Sequence, residues 1–417
     1  MKFTIVKAQA TNVFLAALFI FFLNTTVQAD DFILSYWCGP PETTNRTELN
    51  RRYAEIAECG FNYAMVPCAG TTLKGTKAVL DACQKNKLKY IVGDSRILAF
   101  GAGNPALQTN LDAVISEFAK HKALGGYHLV DEPAPGAFPQ LAAVNQYLLQ
   151  RDPKHLPFIN LYPNYVPEWA VGPYEPYVEK FLTTVKPRLL SFDHYALTTD
   201  GNLRPIYFEN LEIIRRQALK HDVPFGFIFQ LLAHGGYRDP SESELRWQVN
   251  TALAYGAKAL MYFTYWHPGN EPIFKNGSAI INLDGKRSYH FAQAKRVNAE
   301  INAWAPTLMK LKSTGVFHTG ELPQATRVLP KDALVQIKDN GAFIIGTFQH
   351  QDRSEWVMVV NRDMRIPVNA TLQFDSQIKR VRELSSSNGK LSSMKLHAQE
   401  LPIQLAAGDA KLFKLSR

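Results

Sequence analysis

The chain lacks the features that mark several protein classes. Beyond residue 23 it has no apolar run long enough for a membrane helix. Its four cysteines fit no zinc-binding spacing, and no block of lysine and arginine with interleaved aromatic residues is present. These absences argue against a membrane protein, a zinc protein and a nucleic-acid-binding protein. We expect neither a metal nor a cofactor.

The first 29 residues are typical of a secretory signal. Two lysines flank the start, residues 13–23 form an apolar stretch too short to span a bilayer, and small residues at 27–29 precede cleavage before Asp30. No cysteine follows the cleavage position, so no lipid anchor is expected. The full chain carries a net charge of +9, and removal of two lysines leaves +7. The mature protein is predicted to lie in the periplasm or the medium.

After the signal, short apolar β runs alternate with helical patterns eight times. The predicted strands are residues 32–37, 62–66, 90–93, 126–131, 158–162, 189–193, 225–230 and 259–266. The predicted helices are residues 47–59, 77–86, 106–122, 139–150, 174–185, 205–220, 241–255 and 289–312. Near-continuous apolar strands indicate a parallel sheet that is buried on both faces.

Eight such units in residues 30–312 predict an α/β fold, a (β/α)8 TIM barrel. A doubly wound open sheet is the alternative, but it would need a glycine-rich phosphate turn where Cys38-Gly39-Pro40-Pro41 stands. From residue 313 the helical spacing gives way to short β runs, which predicts a small antiparallel β-sandwich over residues 313–417. Its predicted strands are residues 316–317, 334–337, 343–346, 356–360, 370–374 and 410–414.

The barrel suggests how the cysteines pair. An even number of cysteines in an exported protein favours disulfides. Cys38 and Cys68 would lie just past the upper ends of adjacent strands, whereas Cys59 and Cys83 would lie late in adjacent helices. The predicted pairs are therefore 38–68 and 59–83.

Ligands of such barrels bind at the carboxyl-terminal ends of the strands, and here those ends are polar and aromatic. The predicted site residues are Asp131, Glu132 and Asp193 for catalysis, and Trp37, Asp94, Asn160, Tyr162, His194, Tyr195, Gln230, Trp266 and His267 for substrate binding. Carboxylates, amides and rings without a metal cage suit glycoside cleavage. That reaction needs one carboxylic acid to protonate the leaving oxygen and a second group to stabilise an oxocarbenium-like centre.

Glu132 is the predicted general acid/base. A charge at a helix start would also explain it, but its place at a strand end beside Asp131 favours catalysis. Neighbouring carboxylates raise one another's pKa, which would keep an acid protonated near neutral pH. Because successive strand residues point to opposite faces, both side chains reach the cleft only if the strand breaks at Asp131. Pro133 favours such a break.

The barrel, the sandwich and the sequence Asp131-Glu132-Pro133 resemble secreted bacterial glycoside hydrolases. In clan A of these enzymes the fourth strand ends in Asn-Glu, often before Pro, and a second Glu ends the seventh strand as nucleophile. Here the seventh strand ends in Gln230, which cannot be a nucleophile. The adjacent Asp-Glu pair is similar to that of substrate-assisted N-acetylhexosaminidases, in which the Asp orients the acetamido group of the substrate. Asp193 is a further candidate nucleophile or base, and residues 193–195 equally fit a supporting hydrogen-bond network.

We therefore expect a glycosidase acting on an oligo- or polysaccharide, with Asp131 assisting Glu132 and possible substrate assistance by a 2-acetamido group. The alternative is a non-catalytic carbohydrate-binding barrel without the seventh-strand nucleophile. A carbohydrate is the expected partner, and no nucleic acid or membrane partner is expected. The sequence leaves open the sugar, the stereochemical outcome and the oligomeric state.

Overall fold

The computed structural model describes residues 31–98, 106–274 and 277–417. The predicted signal, residues 1–29, lies outside the described residues. Within these ranges no helix combines the length and the apolar character needed to cross a membrane.

Eight parallel strands form the sheet of the barrel. They are β1 (Ile33–Tyr36), β2 (Tyr63–Met65), β3 (Lys89–Gly93), β4 (Leu124–Asp131), β5 (Leu156–Leu161), β6 (Leu190–His194), β7 (Phe225–Gln230) and β8 (Ala259–Phe263). Their order in the sheet is β1-β8-β7-β6-β5-β4-β3-β2. Asn62, just before β2, joins the two edge strands β1 and β2. Its side chain donates to the Phe32 carbonyl and accepts from Leu34 N–H. The predicted (β/α)8 barrel is confirmed.

Ten helices of the described chain surround this sheet. They are α1 (Arg46–Glu58), α2 (Leu73–Lys85), α3 (Ser95–Leu98), α4 (Leu107–Phe118), α5 (Phe138–Arg151), α6 (Glu168–Val171), α7 (Tyr174–Val185), α8 (Tyr207–Lys220), α9 (Glu242–Tyr255) and α10 (Tyr289–Leu308). Side-chain caps fix several starts, as at Ser241, which exchanges hydrogen bonds with Glu244 in a capping box.

Four predicted boundaries in the barrel are wrong by three residues or more. Helix α2 begins at Leu73 rather than at residue 77, and α4 ends at Phe118 rather than at residue 122. The last helix was expected to reach residue 312, but it ends at Leu308, because residues from Leu311 pair as a strand with the sandwich. The eighth strand was expected to reach residue 266, but it ends at Phe263. Beyond Phe263 the chain leaves the sheet and bonds to the loop after β1, with Tyr265 N–H donating to the Trp37 carbonyl at 3.1 Å.

The C-terminal part forms the two antiparallel sheets of the expected sandwich. Its strands are β9 (Leu311–His318), β10 (Val335–Ile337), β11 (Phe343–His350), β12 (Glu355–Asn361), β13 (Val368–Phe374), β14 (Arg380–Leu384), β15 (Leu391–Ser393), β16 (Glu400–Leu405) and β17 (Ala410–Ser416). They pair as β10-β13-β16 and β15-β14-β17-β12-β11-β9. Sequence reasoning missed β14, β15 and β16. β15 is exposed along its length and β16 contains Pro402, so neither gives a clear apolar run.

One hydrophobic core continues from the barrel into the sandwich. Helix α9 packs on β11 and β12. Asn250 donates to the Gly408 carbonyl at 3.0 Å, and the Trp304 indole donates to the Leu384 carbonyl at 2.9 Å. These buried bonds hold the sandwich against the side of the barrel.

The disulfide prediction is half correct. Cys38 and Cys68 form the expected bond. Cys59 and Cys83 are free and buried, so the second predicted pair is wrong. Cys59 faces α10, where its thiol lies 3.8 Å from the Phe291 carbonyl. Helix positions alone do not fix side-chain direction, which a disulfide requires.

Candidate active site

Three carboxyl groups meet at the carboxyl-terminal mouth of the barrel. Asp131 ends β4 and lies in register with Asn160 of β5, which in turn pairs with Ser191 of β6. Asp193 follows two residues later on β6. Because neighbouring parallel strands end at the same face, these side chains share one recess with Glu132.

The backbone turns at Glu132, which adopts a left-handed conformation with φ of 47°. Glu132 N–H donates to the Asn160 carbonyl at 2.8 Å, and the Tyr177 hydroxyl donates to the Pro133 carbonyl at 2.9 Å. Sequence reasoning expected the strand to break at Asp131, and the left-handed residue is the next one. This turn lets two successive carboxyl groups face the same cleft, which a regular strand forbids.

Asn160 is the bridge of the carboxyl cluster. Its amide nitrogen donates to Asp131 at 3.1 Å and to Asp193 at 2.9 Å. Its amide oxygen accepts from the Ser191 hydroxyl at 3.1 Å, which fixes the amide orientation. Both N–H donors of its side chain are thus used to position carboxyl groups.

Desolvation dominates the electrostatics of the cluster. Asp131 opens to the cleft, yet the protein around it raises its pKa to about 6 despite the Asn160 hydrogen bond. Burial and the charge of Asp131 raise the pKa of Glu132 to about 7. None of the three carboxyl groups has an ion-pair partner among the described residues.

The side chain of Asp193 forms a hydrogen bond with that of Glu132. Asp193 is only 4% exposed, and burial followed by the charges of Glu132 and Asp131 raises its pKa well above the usual range. The more buried acid keeps its proton, and its hydroxyl donates to the Glu132 carboxylate once Glu132 has lost its own proton. At neutral pH Asp193 therefore stays protonated, while Glu132, the more accessible member, takes up and releases a proton toward the cleft.

Aromatic rings enclose the carboxyl cluster. Tyr162 follows β5 and Tyr195 follows β6, and burial together with the nearby carboxylates raises the pKa of both hydroxyls. Trp37 reaches across the barrel from β1, where its ring meets His128 at 5.4 Å and Phe158 at 6.4 Å. His128 precedes Asp131 on β4, and Phe158 lies in register with His128 on β5. The ring of Trp37 therefore lies below the carboxyl groups and forms part of the cleft floor.

Sequence reasoning missed most of one aromatic wall. The ring of Tyr195 lies 5.2 Å from Phe263, 5.0 Å from His234 and 5.4 Å from Tyr237. Arg204 lies over the ring of Tyr165 at 4.1 Å and fixes this wall from behind. Phe263 ends β8, so the overlong strand prediction hid it, and the loop residues gave no periodic signal.

Trp266 and His267 lie away from the carboxyl groups. Trp266 is 6% exposed, and the Arg52 guanidinium lies 4.8 Å from its ring centroid. His267 is buried between the Phe274 carbonyl at 3.2 Å and Gly269 N–H at 3.3 Å. Both side chains hold the loop after β8 and leave little surface for a ligand.

Gln230, at the end of β7, is fully buried. Its amide nitrogen donates to the carbonyls of Leu197 at 3.1 Å and Arg238 at 2.6 Å, and its oxygen accepts from Leu197 N–H at 3.0 Å. The side chain therefore ties the loop after β6 to the loop after β7. The predicted hydroxyl-binding role would have to displace these bonds.

Asp94 and His194 are also held by protein partners. Asp94 pairs with Arg96 at 2.7 Å, and although burial opposes it, this pairing lowers the pKa of Asp94. His194 lies 2.9 Å from the Asn210 amide oxygen, and burial lowers its pKa to about 3. His194 is therefore neutral and donates to Asn210. In the described residues, no group of three His, Cys, Asp or Glu side chains is arranged to hold a metal ion.

No family model matches the sequence. No curated protein matches it either. Solved structures do share the fold. A glycoside hydrolase family 5 protein from Bacteroides vulgatus aligns with a TM-score of 0.61 and 10% identity, over 92% of this chain and 89% of its own. A β-galactosidase from Bacillus circulans sp. alkalophilus aligns with a TM-score of 0.60 and 8% identity, over 93% of this chain and 99% of its own.

A β-galactosidase from the psychrophilic Marinomonas ef1 aligns with a TM-score of 0.52 and 12% identity, over 67% of this chain. This chain spans 62% of the length of that enzyme, less than two thirds. At such identities the likeness concerns the fold, a (β/α)8 barrel of the kind that these glycoside hydrolases use.

Proposed function

We propose that the protein is a glycoside hydrolase in which Glu132 is the general acid/base. The observation that carries this proposal is the carboxyl pair of Glu132 and Asp193 at the barrel mouth, where burial raises the pKa of Glu132 to about 7. An acid with a pKa near the working pH transfers protons most effectively. The glycoside hydrolase folds of the structural neighbours support the same reading.

In this mechanism the Glu132 proton passes to the glycosidic oxygen while the bond from that oxygen to the anomeric carbon breaks. Glu132 then accepts a proton from the water that completes hydrolysis. Asp193 is too deeply buried to face a sugar, so it acts through its hydrogen bond to Glu132.

Hydrolysis also needs a second catalytic group that stabilises the anomeric centre. Gln230 offers no carboxylate at the end of β7, and its amide is occupied by backbone groups. Asp131 opens to the cleft and is ionised above a pH of about 6. We assign to it the orientation of a 2-acetamido group, whose oxygen attacks the anomeric carbon in place of an enzyme nucleophile.

The test is hydrolysis of aryl glycosides with and without a 2-acetamido group, including β-galactosides, by wild type and Glu132→Gln. We expect cleavage of acetamido sugars and a loss of about 10²- to 10⁴-fold in Glu132→Gln. Glu168→Gln removes an exposed acid on another loop of the same face and should keep full activity. Equal activity of Glu132→Gln and wild type would refute the assignment of Glu132. Cleavage of plain hexosides alone would refute the acetamido assistance.

The rival function is a carbohydrate-binding barrel without turnover, which Gln230 favours. Calorimetric titration of the same sugars into wild type and Glu132→Gln separates the two. Binding that is unchanged by the substitution, together with no hydrolysis, would support the rival.

A further inference from the structure

The barrel mouth carries an unusual distribution of exposed apolar side chains. Large apolar residues of the described barrel that are strongly exposed all lie in strand-to-helix loops or at the first residue of a helix. They are Leu73, Trp169, Ile273, Leu283 and Tyr289. Loops after strands and helix starts share the carboxyl-terminal face of the barrel. The face that holds the carboxyl cluster therefore also carries these exposed apolar side chains.

Trp169 is the extreme member of this set, with 89% of its surface exposed. Tryptophan is highly buried in most proteins, because its ring gains more from burial than most side chains do. It stands on the one-turn helix α6, in the loop between β5 and α7. No ring contact or hydrogen bond of its indole occurs within the described ranges.

The segment that carries Trp169 is firmly held. Ala170 N–H donates to the Pro167 carbonyl at 2.9 Å, and Gly172 N–H donates to the Glu168 carbonyl at 2.6 Å. Val171 is buried in the hydrophobic core. Prolines at 163, 167 and 173 restrict the backbone further. The indole is thus presented outward by an ordered turn rather than by a loose loop.

The same loop reaches the carboxyl cluster. It begins at Tyr162, whose hydroxyl pKa is raised by burial and by the charges of Glu132, Asp131 and Asp193. Tyr174 fixes this end by donating to the Tyr162 carbonyl at 2.9 Å. Trp169 lies seven positions after Tyr162 in the sequence, so their Cα atoms lie within about 25 Å of each other. A ligand of several linked units can touch both.

We propose that Trp169 is an outer sugar-binding subsite, so that the substrate is a glycan chain of several sugars rather than a monoglycoside. This inference rests on the proposed function. The face of a pyranose ring presents C–H groups that are apolar and slightly positive, and it packs on the electron-rich face of an indole. An exposed ring at the rim binds a distal sugar, while the carboxyl cluster acts on the sugar in the cleft.

The test compares Trp169→Ala with wild type on an aryl monoglycoside and on an oligosaccharide of the same sugar with at least four units. We expect kcat/KM to fall about 5- to 10-fold on the oligosaccharide and to stay unchanged on the monoglycoside. Ile366→Ala removes an exposed apolar side chain from the sandwich and should change neither. Equal kcat/KM values for Trp169→Ala and wild type on both substrates would overturn the subsite proposal and leave the proposed function standing. A parallel loss on both, with an altered melting temperature, would show a structural role and overturn it too.

A second measurement separates this proposal from the proposed function. Wild type, Trp169→Ala and Ile366→Ala are run in native gels that contain soluble polysaccharides. If no sugar is hydrolysed, the glycosidase proposal fails, but retardation that Trp169→Ala loses would still support the subsite. Absence of retardation and of hydrolysis for wild type would overturn both.

Discussion

At the scale of single residues, the hydrogen-bonded carboxyl pair of Glu132 and Asp193 decides what the cleft can do. Two carboxyl groups in contact cannot both ionise without a large energetic cost, so Asp193 keeps its proton and Glu132 titrates with a pKa raised to about 7. Asp193 is buried and Glu132 faces the cleft, which makes Glu132 the member that exchanges a proton with a substrate.

The pH dependence of the reaction follows from these groups. Activity requires a protonated Glu132. The orientation of an acetamido group by Asp131 requires that Asp131 is ionised. We expect kcat/KM to fall as pH rises through about 7 and as it drops through about 6. Asp131→Asn should remove the acidic limb, because the group that titrates there is gone. A profile that is flat from pH 5 to 9 would contradict these roles.

The same carboxyl groups should reduce stability at neutral pH. An acid whose pKa is raised on folding binds more protons in the folded state, so the free energy of unfolding decreases as pH rises from about 4 toward the folded pKa. Asp193→Asn keeps an acceptor for Asn160 and a donor for Glu132. We expect it to raise the melting temperature by roughly 1–4 °C at pH 8 and by less at pH 5.

Asp332→Asn, at an exposed position of the sandwich, is the matched control and should shift the melting temperature at neither pH. A stability loss of Asp193→Asn at pH 8 would mean that the carboxyl group is ionised and well compensated.

At the scale of elements, the end of β4 carries reactive groups, whereas the end of β7 has a structural role. β4 ends in a left-handed turn that exposes two acids, whereas β7 ends in Gln230, whose amide connects two loops. A barrel can thus place reactive groups at one strand end and a structural tie at another, since each strand end is an independent position on the rim.

Gln230→Glu tests that structural tie. A carboxylate cannot donate to the carbonyls of Leu197 and Arg238, and it would bury a charge without a partner. We expect the free energy of unfolding in urea to fall by at least about 3 kcal/mol. We also expect no gain of activity, although the change restores the residue type of a clan A nucleophile. Gln349→Glu, on an exposed strand position, should be neutral. A stable and more active Gln230→Glu would show that this side chain faces the substrate.

At the scale of the whole molecule, the barrel and the sandwich share a hydrophobic core. Gly346 of β11 lies against the Ala254 backbone of α9, where an added Cβ would overlap the Ala254 carbonyl oxygen. Tyr255, at the end of α9, lies 3.0 Å from the imidazole of His318 in β9. The close approach of backbone to backbone explains why glycine stands at position 346.

Gly346→Ala should separate the two parts slightly. Overpacking at this backbone contact should lower the free energy of unfolding by about 1–3 kcal/mol, measured by chemical denaturation. The control is Gly136→Ala, because a Cβ there meets no atom within 4 Å. It should change stability by less than about 0.5 kcal/mol. Equal stability of both variants would show that the interface accommodates the added methyl group without a loss of stability.

Local patterns in the sequence determined the barrel and most of its helices. Strands β5 and β7 are buried on both faces, so their continuous apolar composition predicts that they lie inside a parallel sheet. The adjacency of Asp131 and Glu132 at a strand end was equally visible. These features depend on near neighbours along the chain, which is why they could be predicted.

Tertiary structure alone decided how the site is assembled. The left-handed turn at Glu132, the Asn160 bridge and the burial of Asp193 depend on strands that lie far apart in sequence. The same holds for Trp266, which the chain turns away from the cleft, and for Trp169, which a short helix turns outward. Side-chain direction and solvation are set by packing between distant segments, and no local pattern encodes them.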